Sequence, residues 1–110
     1  MKQATIVGNW KMHMGISASR LLASQIRKGM ESVGNVSVIV CPSFLSLSVV
    51  KEELDGCPIL VGAQNAHDED EGAYTGEISP SMLAPLCTHV IVGHSERRLL
   101  FGETDSMINA

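Results

Sequence analysis

The sequence predicts an α/β fold: four parallel strands with outer helices, the first four βα units of a (β/α)8 barrel. Three observations carry that prediction. Short β-branched runs alternate with stretches of helical period, in the order βα-βα-βα-βα, at nearly even intervals along 110 residues. Polar residues stand directly after the strands in at least three units: Asn9 and Lys11, Gln64 and Asn65, His94 and Glu96. A barrel whose site is built from loops at the strands' carboxyl ends requires that placement. The turn after the first strand, GNWKMHMG, is not GxGxxG, which argues against the alternative of a small doubly wound dinucleotide-binding sheet. Residues 1–110 therefore read as a single incomplete domain, half a barrel whose first and fourth strands are open edges.

The first strand spans residues 3–7, with Ile6 and Val7 at its end, and Gly8-Asn9-Trp10-Lys11 breaks it. Residues 17–32 form an amphipathic helix. Leu22, Ile26 and Met30 recur every fourth position, Leu21 and Val33 lie alongside, and Gly34-Asn35 stops it. VSVIVC, residues 36–41, is a second strand closed by Pro42. Residues 43–54 carry Leu47, Val50 and Leu54 on one stripe, a second helix, and Asp55-Gly56-Cys57-Pro58 turns the chain. ILVGAQ, residues 59–64, is the third strand. Residues 65–78 follow, with Gly72, Gly76 and the acidic run 68–71: too polar to bury and longer than an ordinary connection, so functional or partner-contacting. Ser79-Pro80 opens a third helix, serine as cap and proline at the first helical position, with Met82, Leu83 and Leu86 as its apolar side. Residues 89–92 are the fourth strand, and Asp105 suits the first turn of a further helix, which is expected to be under way where the sequence stops.

Bulk properties exclude several classes of function. A hydrophobic share of 45% and a charged share of 18% fit a globular protein. A net charge of −4 without a Lys/Arg-rich run argues against nucleic acid or an anionic membrane as partner. No apolar run is long enough to span a membrane, and the amino terminus does not read as a secretory signal. Cys41, Cys57 and Cys87 are odd in number and widely spaced, so they read as reduced core thiols of a cytosolic protein, not as disulfides or a metal site. The formal sequon Asn35-Val36-Ser37 is discounted, since nothing else points to secretion.

The densest chemistry lies in residues 89–98, HVIVGHSERR. Spacing alone fits two readings equally. One is a site at a strand's carboxyl end, with His94 and Glu96 as the first titratable candidates. The other is a short surface helix capped by Ser95, its charges solvated. Asn9-Trp10-Lys11, GAQNAHDEDEGAYTGEIS and VGHSERR, taken together, resemble the triosephosphate isomerase family over essentially the whole chain. VGHSERR and AYTGEIS are highly specific to it, and VGHSERR is not shared by other sugar-phosphate isomerases or aldolases of similar fold.

What the resemblance implies is an expectation at this point. The chain is similar to the amino-terminal half of a TIM barrel, from the first strand to the start of the fourth helix, where a complete barrel needs about 250 residues. The activity implied is glycolytic and gluconeogenic: interconversion of dihydroxyacetone phosphate and glyceraldehyde 3-phosphate through an enediolate, in a cytoplasmic homodimer, with no cofactor and no metal. Lys11 resembles the family's fixed catalytic cation beside the substrate. Asn9 resembles its amide donor to the substrate oxygens, and Trp10 is packing. His94 resembles the electrophile, a neutral ring at the amino end of a short helix. Ser95 fits the residue that caps and orients that turn, and Glu96 the second carboxylate, close to Lys11. The family's general base belongs to the second half of the barrel, so little turnover is expected from residues 1–110 alone. The alternative is a non-catalytic half-barrel module that self-associates. Thr75, with Gln64 and Glu77 in support, resembles the family's dimer-interface loop. His13, His67 and His89 are expected to be surface or packing residues, Arg97 and Arg98 structural ion pairs, and residues 68–71 a solvated acidic face.

Overall fold

The computed structural model describes residues 4–30 and 36–109. Strands β1 (Ala4–Asn9), β2 (Val36–Cys41), β3 (Leu60–Ala63) and β4 (His89–Val90) lie side by side in that order, every neighbouring pair parallel. Helices α1 (Ile16–Gly29), α2 (Leu47–Glu53) and α3 (Pro80–Leu83) occupy the three connections, and α4 (Ser95–Leu100) and α5 (Asp105–Asn109) follow β4. Parallel strands in sequential order, with a helix in each crossover, are the half barrel the sequence predicts.

Alternation of side chains across the strands separates a packed face from a second, inner face. Val40, Val61 and Ala63 point outward and bury against Ala23 of α1, Leu47 and Val50 of α2, and Leu54 just after it, with Leu83 and Trp10 completing the layer. Each buried Val or Leu side chain contributes about 1.5–3 kcal/mol. Arg27 of α1 donates from Nη1 to the Glu53 carbonyl at 2.8 Å, fastening α1 to the end of α2. Ile39, Cys41, Gly62 and His89 share the opposite face, since a Cβ on Gly62 would lie 2.8 Å from Cys41 Sγ and 3.4 Å from His89 Cβ. Register places Asn9 beside Cys41. Asn9 therefore lies on the inner face, while Trp10, one residue later, packs into the core.

α1 starts at Ile16, one residue early, and β3 spans Leu60–Ala63 within the expected 59–64; three other boundaries also differ from expectation. Phe44–Ser46 wind as a 3-10 turn ahead of α2, with Ser46 N donating to the Ser43 carbonyl at 3.0 Å. β1 runs on to Asn9 because its ladder with β2 continues to Cys41. β4 ends at Val90, although Ile91 N still donates to the Ala63 carbonyl at 2.8 Å. Ala63 is the last residue of β3, so the ladder between the two strands stops at the Ala63–Val90 pair. The third helix starts as expected, with Ser79 Oγ accepting the Met82 N–H at 3.3 Å and Pro80 at the first position. Gln3, residues 31–32 of the expected first helix with Val33, and the Gly34-Asn35 stop, including the sequon's Asn35, lie outside the described residues. Among the described residues, no helix is long and apolar enough to cross a membrane.

Candidate active site

The carboxyl ends of the strands bring polar groups from three loops together. Lys11, two residues beyond β1, has φ +56°, in the left-handed region. That conformation costs a residue with a side chain about 1–2 kcal/mol. Both of its backbone polar groups are held. Lys11 N donates to Asn9 Oδ1 at 2.9 Å, and Gln64 Nε2 donates to the Lys11 carbonyl at 2.8 Å. The same Gln64 nitrogen donates to the Cys41 carbonyl at 2.9 Å. One amide at the end of β3 thus ties the loop after β1 to the end of β2.

After β4 the chain turns at Gly93, φ +60°, where a Cβ would run into Ile108. His94 follows with extended backbone, which makes it the N-cap of α4, and its Nδ1 accepts the Glu96 N–H at 3.1 Å. Glu96 Oε1 also lies 3.4 Å from that nitrogen, a contact that would suit a protonated Nδ1. The two contacts ask for opposite states of one atom. The amide governs, being shorter and permanently protonated, so Nδ1 is an acceptor and the neutral ring carries its proton on Nε2. The carboxylate's partner is Lys11, whose Nζ lies 3.3 Å from Oε1. With 52% and 47% of these side chains exposed, that pair orients more than it stabilises, contributing about 0–1 kcal/mol.

The cluster offers an ammonium and an imidazole N–H, both suited to anionic or carbonyl oxygen, around a carboxylate already engaged. The two arginines are tied down beside it, as expected. Arg97 Nε pairs with Glu103 Oε2 at 2.6 Å, and its guanidinium lies 4.8 Å from the Phe101 ring centroid. Arg98 pairs with Asp105 at 2.6 Å and donates to the Gly93 carbonyl at 3.0 Å.

The profile of the triosephosphate isomerase family matches residues 4–110. The chain belongs to that family. A triosephosphate isomerase of Dehalococcoides mccartyi is 49% identical over 109 residues, covering 99% of this chain and 43% of the relative. One of Herpetosiphon aurantiacus is 47% identical over 110 residues, covering 99% and 44%. One of Nitrosococcus oceani is 51% identical over 109 residues, covering 98% and 44%. The chain spans less than half the length of the curated relatives it matches.

Within this half barrel, Asn9, Lys11, His94 and Glu96 form one connected group with Gln64. One expectation is revised. Ser95 was expected to cap the helix after His94, but His94 itself occupies the cap and Ser95 is the exposed first helical residue. Gln64, expected in support of the interface loop, directs its amide to the Lys11 and Cys41 carbonyls inside the half barrel. Period two could have shown this, since Gly62 and Gln64 fall on the same, inner side of β3. Thr75 and Glu77 are exposed on the loop between β3 and α3. Among the described residues, no group of three His, Cys, Asp or Glu side chains could hold a metal ion.

Proposed function

We propose that the protein carrying this chain is a triosephosphate isomerase, interconverting dihydroxyacetone phosphate and glyceraldehyde 3-phosphate through an enediolate. One observation carries the reading above the rest: the Lys11 ammonium and the His94 ring reach the same oxygen, Glu96 Oε1, at 3.3 and 3.4 Å, at the carboxyl end of a parallel sheet. Lys11 supplies fixed positive charge beside the substrate phosphate and carbonyl oxygen. Asn9, its Oδ1 occupied by Lys11 N, offers its amide hydrogens to the substrate. His94 donates from Nε2 to the oxygen that becomes negative as a proton leaves the neighbouring carbon. Glu96 holds Lys11 in place, and Ser95 supports the turn. The oxidation at one carbon is balanced by reduction at the next, so the step calls for no redox cofactor. Glu96 is committed to Lys11, and the general base is assigned to another part of the barrel; residues 1–110 alone are then inactive.

The working protein is read as a cytoplasmic homodimer, with Thr75 at the tip of the loop that enters the partner, Glu77 beside it and Gln64 behind it. In a barrel of the relatives' full length, Lys11→Ala and His94→Gln each lower kcat at least about 100-fold. Near-normal turnover in either variant, with an unchanged circular dichroism spectrum, overturns the reading. A second reading rests on exposed apolar residues along both open edges, Ile6 and Val7 on β1, Val90 and Val92 at β4. Here the chain acts as a non-catalytic module that self-associates edge to edge. Light scattering of the purified chain tests it, and a monomer at all concentrations removes it.

A further inference from the structure

The loop between β3 and α3 is closed at its neck by backbone, with His67 N donating to the Ile78 carbonyl at 2.8 Å and Glu77 N to the Tyr74 carbonyl at 2.9 Å. The His67 side chain sits across that neck. Its Nε2 lies 3.3 Å from Asp68 Oδ1 and its Nδ1 3.7 Å from Glu77 Oε2, so each ring nitrogen faces a carboxylate. The Tyr74 ring folds back over the imidazole, centroids 4.4 Å apart. Gly72, φ +144°, permits that fold, since a Cβ there would lie 2.7 Å from Tyr74 Cε2. Nε2 is nevertheless buried without a well-directed hydrogen bond. A neutral imidazole has only one N–H, so it can serve one carboxylate at most. The protonated ring has two and can serve both.

We propose that His67 is a proton-operated clasp that sets the shape of residues 67–78. Protonated, it bridges Asp68 and Glu77 and draws the two ends of the loop together; neutral, it releases one of them. The charged groups around it favour the bridge. Asp68 and Glu77 come from the loop itself. Arg97 and Glu103, from the α4 side, line the same cavity of about 350 Å³, where they largely cancel each other through their 2.6 Å pair. The clasp closes where the ring is protonated and opens where it is neutral. The inference concerns the loop of this chain and stands whether or not that loop enters a partner subunit.

Amide hydrogen exchange on the 110-residue chain at pH 5.5 and pH 8.0, corrected for intrinsic exchange rates, tests it. Protection at the His67 and Glu77 amides is expected to be about threefold greater at pH 5.5, the scale of a partly exposed ion pair, with Val40 and Val61 unchanged. His67→Gln abolishes the difference, and so does Glu77→Gln, which leaves the imidazole in place should the first variant fold poorly. Equal protection at both pH values in the unsubstituted chain overturns the proposal. So does a pH dependence that survives in Glu77→Gln.

Discussion

Lys11 shows how the site is built at the scale of single residues. Its backbone is held in the left-handed region by an acceptor, Asn9 Oδ1, and a donor, Gln64 Nε2. Gln64→Leu strips a hydrogen bond from two carbonyls at once, Lys11 and Cys41. The expected loss is about 1–3 kcal/mol, read as a lower urea midpoint, and no change in midpoint would mean the clamp is dispensable. The thiols make a second residue-scale prediction. Burial, and for Cys41 the neighbouring Cys87 as well, pushes both thiols above their ordinary value. A group raised on folding stabilises while it stays neutral. That contribution is complete below the unfolded thiol's pKa, about 8.5, and is lost as pH rises through the higher folded value. Urea midpoints should therefore fall between pH 8 and pH 10, and fall less in Cys41→Ala; identical slopes would remove the thiols from the account.

At the scale of elements, each unit's limits follow from what it packs against. Val50 of α2 is fully buried, and Val50→Ala is expected to cost roughly 1–3 kcal/mol, on the scale of lost methyls plus a partly relaxed cavity. Gly62 of β3 tests the inner face. Its missing Cβ leaves room for Cys41 Sγ, so Gly62→Ala should destabilise by about 1–3 kcal/mol through overpacking, and a neutral melting temperature would show the strands can part there. β2, β3 and the Ser79-Pro80 helix start were legible in the sequence because each rests on local chemistry: β-branched runs, a capping hydroxyl, a fixed proline φ. β4 and the start of α2 were less so. A strand's end depends on how far its neighbour runs, and Val92 cannot report that Ala63 ends β3. The chemical groups at positions 9, 11, 94 and 96 were equally legible. Gln64's target and the choice of His94 over Ser95 as cap were not, because both depend on where a side chain points once the sheet exists.

At the scale of the molecule, four βα units set a cation, an imidazole and a carboxylate at the carboxyl end of one sheet, with an inner face only partly filled. The proposed chemistry needs a base on the far side of the substrate, and the carboxylate nearest His94 is paired with Lys11. The central claim is that these residues are the electrophilic half of an isomerase site and not a complete one. An isomerase assay coupled to glycerol-phosphate dehydrogenase on the purified 110-residue chain tests it most directly. The account predicts no turnover above the uncatalysed rate; turnover approaching that of a full-length triosephosphate isomerase would contradict it.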